Sequence, residues 1–160
     1  MKEIQGFGDS AVATLQTKAD GQEQVSIAGY YHVECRDAAG NLKWEDEFPN
    51  LVVAVGKQLM LDTLLKGSAY TVVGPYLGLI SGSGSTFAAT DTMASHSGWT
   101  ENTSYSNSTR PSPSWGAASG GSKATTATAF NISGTATIAG AFMTTDSTKS
   151  GTAEIGRAHV

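Results

Sequence analysis

The sequence predicts an all-β fold, an antiparallel β-sandwich of jelly-roll or immunoglobulin-like type with one short α-helix. Three observations carry that expectation. Apolar residues alternate at period two from Val25 to Cys35, the spacing of a half-buried strand. Ser, Thr and Gly crowd the chain from Gly78 to Thr152, as in short strands joined by turns. Only 15% of residues are charged, whereas a long-helix bundle is rich in Ala, Glu, Lys, Leu and Arg. A chain of 160 residues supports one domain and can bury roughly two-thirds of its unfolded surface, so its core needs no covalent staple.

Residues 1–23 are polar and weakly patterned, and are expected to form an N-terminal arm that orders only against a neighbour. The sandwich domain is expected over residues 24–153. It opens with Val25, Ile27, Gly29, Tyr31, Val33 and Cys35 on one face of a strand. Asp37-Ala38-Ala39-Gly40-Asn41 supplies a turn, and Leu42, Trp44 and Phe48 alternate with Lys43, Glu45 and Glu47 on the returning strand. Pro49-Asn50 ends that hairpin. Val52, Val55, Leu59, Met60, Thr63 and Leu64 then recur at helical spacing, which predicts a helix over about 53–66 closed by Lys66-Gly67. Tyr76 to Ile80 is a short apolar strand between Pro75 and the loop Ser81-Gly82-Ser83-Gly84. Ala88 to Gly98 is expected as a short helical turn with Asp91 as its cap. A long Ser/Asn/Pro-rich excursion follows from Thr100 to Gly121. Thr126 to Ile132 and Ala136 to Met143 are two strands, with a tight turn at Ser133-Gly134 between them. Their small residues specify register weakly and leave edges open to other chains.

Chemistry is sparse. A net charge of −4 and the absence of a Lys/Arg cluster argue against nucleic acid as a partner. No stretch reaches the roughly 18 apolar residues of a membrane span, and the N-terminus lacks the apolar core of a signal peptide, so neither a membrane nor export is expected. Cys35 is the only cysteine and sits at an apolar-alternating position, as a buried small hydrophobe does. Asp91, Ser95, His96 and Ser97 are the nearest approach to a nucleophile set, but proximity along the chain supplies neither triad geometry nor an oxyanion hole. Glu45, Asp46 and Glu47 permit a cation and are better explained as a solvated edge that discourages aggregation. His32 and His96 stand apart in sequence, so neither metal nor cofactor is expected. Gly116 to Lys123 lacks the Gly-Lys-Ser/Thr ending of a phosphate loop, because Ser122 precedes Lys123. Three Asn-x-Ser/Thr matches, at Asn102, Asn107 and Asn131, follow from Ser/Thr richness alone. Trp99, Tyr105, Arg110 and Trp115 are the candidate interaction residues, since loop aromatics stack on sugars or bury at protein interfaces. The expected protein is therefore not an enzyme.

Several segments resemble small virion proteins of tailed bacteriophages. They are Val33 to Asp37, Asn50 to Val53, Tyr76 to Ile80, the run Ala89 to Glu101, then Tyr105, Arg110-Pro111, Trp115, and Thr144-Thr145 through Ser147-Thr148-Lys149. The resemblance implies a β-sandwich virion component, a capsid decoration or cement protein or a tail or fibre part, made in the bacterial cytoplasm. It implies other virion subunits as partners and self-association, with a trimer as the expected assembly. It transfers no catalytic residue. A carbohydrate-binding tail or fibre module using Trp99, Tyr105 and Trp115 is the alternative function. After Thr152 the chain leaves the pattern of that group. Glu154 to Val160 back-translates as GAG ATC GGA AGA GCA CAC GTC, which contains the start of a common sequencing adapter. Residues 154–160 are thus expected to be a non-native tail, the natural chain continuing for ~30 residues into one or two closing strands.

Overall fold

A computed structural model describes residues 3–17, 23–65, 74–83, 85–152 and 156–158. The elements are β1 (Glu3–Thr17), β2 (Glu23–Arg36), β3 (Leu42–Pro49), α1 (Ala54–Leu65), β4 (Tyr76–Ser81), β5 (Thr100–Asn102), β6 (Ser122–Ala124), β7 (Thr128–Ile132), β8 (Ile138–Thr144) and β9 (Gly156–Ala158). The described residues are mostly β with one short helix, and their sheets are antiparallel.

The strand predicted over 25–36 is most of β2, and its alternation is real. Gly29, Tyr31, Val33 and Cys35 are buried while Tyr30 and His32 are exposed. The turn into β3 is closed by backbone bonds between Asp37 and Asn41 and between Gly40 and Asp37, and by one side chain above all. The Asp37 carboxylate accepts the Ala39 and Asn41 backbone N–H groups and the Asn41 side-chain amide, at 2.8–2.9 Å. Those bonds, the Asn41 amide first, hold the Asp37 carboxyl below its ordinary pKa. Gly40 takes φ +88°, which its lack of a Cβ allows.

The first sheet runs β3-β2-β1, with β6 and β7 both on the far edge of β1. Residues 3–17, expected as an arm, are therefore the strand β1 in the middle of this sheet. Over most of Glu3–Val12 it has a strand on each side. It pairs with β2 from Ile4–Arg36 to Thr17–Glu23, and on its other edge with β7 over Glu3–Phe7 and with β6 over Ser10–Val12. Beyond Val12 the β1–β2 ladder runs on with no third strand among the described residues.

The second sheet has the order β5-β4-β8-β9. Here the tight β7–β8 turn fails. β7 belongs to the first sheet and β8 to the second, so residues 133–137 carry the chain from one sheet to the other. The two sheets share a core of Tyr31, Val33, Phe130 and Ile132 against Leu77, Leu79, Ala141 and Met143, with Tyr105 closing one side. The second sheet is buried on its other face too. Ile80 and Phe142 pack there with Val53, Met93 and Trp99. That is why β4 reads as a continuous apolar run rather than an alternating one.

Helix α1 lies close to the prediction, although Lys66 and Gly67 fall outside the described residues. Val53 and Leu59 anchor it while Leu61 remains exposed. The helical turn expected over Ala88–Gly98 is absent. Turns and a Thr92–Ser95 bridge replace it, because Asp91 spends its carboxylate on Ala88 N–H and on the Trp99 indole. Gly156–Ala158, within the tail set aside as non-native, forms β9 against Phe142–Thr144. No helix among the described residues is long and apolar enough to cross a membrane.

One cross-strand pair tests the packing. Gly78 faces Phe142, and a Cβ on Gly78 would lie 2.2 Å from Phe142 Cζ. The ring is fully buried 5.1 Å from Trp99, so it has nowhere to swing. Gly78→Ala is expected to lower stability by about 1–3 kcal/mol. Gly116→Ala, where the added carbon meets only ordinary contact, should change it little. Urea midpoints at unchanged m-value read both.

Candidate functional site

Three of the four residues singled out in sequence lie inside the protein. Trp99 stacks on His96 and meets Phe142 at a tilt, at centroid distances of 3.8 and 5.1 Å, and donates its indole N–H to Asp91 Oδ2 at 3.1 Å. Tyr105 meets Phe130 edge-on at 5.0 Å. Arg110 is 1% exposed. Trp115 is half-buried and packs on the shared core beside its bridge to Thr125. Trp99 and Tyr105 are buried and turn their rings to the interior, and Trp115 is half-buried, so these rings pin the long loop to the sheets.

Arg110 is the centre of that pinning. Its Nε and Nη2 donate to the two carboxylate oxygens of Glu101 at 2.9 and 2.8 Å, a bidentate pair. Nη1 donates to the Asp146 carbonyl at 2.8 Å and Nη2 to the Gly151 carbonyl at 3.2 Å. The guanidinium carbon stands 5.2 Å from the Phe142 ring centroid. Glu101 also accepts the Ser150 backbone N–H at 2.7 Å. Lys149 extends the network, donating to the Tyr105 carbonyl at 2.6 Å with its ammonium 4.0 Å from the Tyr105 ring centre. Residues 101, 110 and 146–151 thus form one internal polar knot.

The Asp91, Ser95, His96 and Ser97 set is likewise absorbed by the fold. His96 Nδ1 lies 3.0 Å from the Trp99 carbonyl, an acceptor, which assigns the proton to Nδ1. Asp91 holds Trp99 and not His96. A Ser–His–Asp relay needs the carboxylate on the histidine ring.

The surface groups lie on β2 and β3. On the outer face, the register opposes Glu34 to Glu45 and His32 to Glu47. His32, Glu34 and Glu45 bring ligand-type atoms within 4.8 Å of one another, a meeting that the separation of these residues in sequence hid. Arg36 already occupies Glu34, with Nε and Nη2 each 2.8 Å from Oε2, so a cation there would have to displace it. On the inner face, Trp44, Asp46 and Phe48 line a groove of about 160 Å³ with Val33 and with Ile138, Ala139 and Gly140 of β8. On the same strand, Leu42 is 46% and Trp44 43% exposed.

No protein-family model, curated protein or solved structure matches the chain.

The knot and its neighbour Tyr105 yield two expectations. Arg110→Ala strands the Glu101 charge in the interior and is expected to cost about 3–5 kcal/mol. Arg110→Lys should recover only part of that, because an ammonium cannot reproduce the fork. Chemical denaturation of the three proteins checks the order. The buried Tyr105 hydroxyl has no hydrogen-bond partner among the described residues. Burial, and then the charge of Glu101, push its phenol above the ordinary value of 10.0. The folded state thus holds the proton while the unfolded chain releases it, so stability is full below pH ~10 and falls above it. Tyr105→Phe is expected to raise stability slightly at neutral pH, by up to about 1 kcal/mol, and to flatten the alkaline loss. Urea melts at pH 7 and above pH 10 measure both.

Proposed function

We propose that this chain is a non-enzymatic structural subunit of a tailed-phage particle, a capsid decoration or cement protein, whose two sheets form a β-sandwich. The observation that carries the reading is where the segments of phage resemblance fall. Asp91, Trp99, Glu101, Tyr105, Arg110 and Lys149 all belong to them, and all serve interior contacts rather than a reaction centre. Residues that share a fold and carry no chemistry are what a family of assembly subunits has in common. The surface supports the same reading. β3 is paired with β2 alone among the described strands and exposes Leu42 and Trp44 along its length. An unpaired strand edge with apolar side chains is a site for joining another chain. Assembly as a trimer, implied by the same resemblance, belongs to the proposal.

Mass spectrometry of purified particles tests the role. The peptide set of this chain is expected at a stoichiometry tied to the major capsid protein, and its gene beside portal, capsid or tail genes. Absence from particles, with the gene among metabolic neighbours, would overturn it.

A further inference from the structure

We infer that the outer face of the β2–β3 hairpin is a divalent transition-metal site of the zinc class, with His32, Glu34 and Glu45 as ligands and water at the open position. His32 and Glu34 lie two residues apart on β2 and so share a face, and the register sets Glu45 of β3 directly across from Glu34. The ligand-type atoms of the three all lie within 4.8 Å of one another, and His32 Nε2 stands 3.7 Å from Glu45 Oε2. Tetrahedral bonds of about 2.0–2.2 Å place ligand atoms roughly 3.4 Å apart, so the cluster closes on an ion by shifts of about 1 Å. Those shifts fall at the ends of partly exposed side chains, on strands fixed by the β2–β3 ladder.

Three further features favour an ion of this kind. The first is charge. Glu34 opposite Glu45 is a like-charge cross-strand pair, an arrangement that destabilises a sheet, and a divalent ion shared by the two carboxylates removes the repulsion. The second is space. On the other side of β2, β1 sets Gly8 beside His32 and Gly6 beside Glu34, so that strand lays no side chain over the cluster at these positions. The open position is thus left to water, as in three-ligand zinc sites. The third is the imidazole. Two carboxylates alone are a solvated edge or suit calcium and magnesium, which take oxygen ligands; a histidine nitrogen beside them selects zinc or a neighbouring transition metal.

Arg36 is the built-in competitor. Its Nε and Nη2 both reach Glu34 Oε2 at 2.8 Å, while Nη1 donates to the Gly40 carbonyl at 3.0 Å. The ion pair is partly exposed, with side chains 40% and 30% accessible. Such a pair is worth a factor of about five at most. A metal bond outweighs it, and the Gly40 carbonyl still holds the guanidinium once Glu34 is taken. This inference stands whether or not the chain is a virion subunit.

Titration calorimetry of the full, untagged chain with zinc chloride and with calcium chloride tests it. One zinc ion per chain is expected, bound about tenfold or more tightly than calcium. His32→Ala, Glu34→Gln and Glu45→Gln are each expected to weaken zinc binding about tenfold or more. Asp46→Asn removes the same charge from the inner face of β3 and should change it little. Arg36→Gln, which frees Glu34, is expected to tighten binding about two- to fivefold. No zinc binding up to ~1 mM overturns the proposal. So does binding that survives His32→Ala, an equal loss in Glu45→Gln and Asp46→Asn, calcium bound as tightly as zinc, or an Arg36→Gln chain that binds zinc no more tightly than the parent.

Discussion

A buried guanidinium sets the terms for half of this fold. Removing a charge of that size from water costs several kcal/mol, and the interior repays it only with excellent geometry. Arg110 obtains that geometry from a carboxylate on β5, two carbonyls in the loop after β8, and the face of Phe142. The partners come from β5 on one side and from β8 and its following loop on the other, so the guanidinium is satisfied only when both are in place together. Arg110 thereby fastens the loop after β5 to the loop after β8. The local shapes follow. Ser150 is held at φ +58° while its N–H reaches Glu101, and Gly151 admits Asp146 where a Cβ would collide.

That knot works because the second sheet is covered on both faces. One face meets the first sheet. The other meets Val53 at the start of α1 and the segment carrying Met93 and Trp99. An irregular segment over a buried sheet face must satisfy its own polar groups. Here Asp91 ties two points of the segment together, and His96 returns a bond to the Trp99 carbonyl. Gly98 is needed for the same closure, since a Cβ there would strike the Thr86 carbonyl at 2.2 Å. Aromatic packing and loop hydrogen bonding are thus one device. They hold Trp99 and Phe142 against each other and present Phe142 to Arg110.

The legible parts of the sequence were those whose partners lie close by. The β2–β3 hairpin, α1 and β4 each declare themselves through periodicity and flanking turn residues. β1 does not, because Gly6, Gly8, Ala11 and Ala13 give little contrast between faces and its partner β7 lies more than a hundred residues away. The β7–β8 connection misled for a related reason. Ser133-Gly134 suits a hairpin, yet the strands on either side are claimed by different sheets. As for the candidate site, an arginine among Ser, Asn and Pro looks solvated, since Arg is rarely buried unless paired. A signal was present all the same. Asp91, Glu101 and Arg110 are the only acidic or basic residues between 67 and 122, His96 aside. In so neutral a stretch, three isolated charges have no solvation task to perform, and all three carry structural bonds.

The same economy of charge separates the interior from the edge. Acidic residues cluster on β3, where Glu45, Asp46 and Glu47 follow one another on a strand that is paired with β2 alone among the described strands. A charged edge is the usual defence of an exposed strand against pairing with copies of itself.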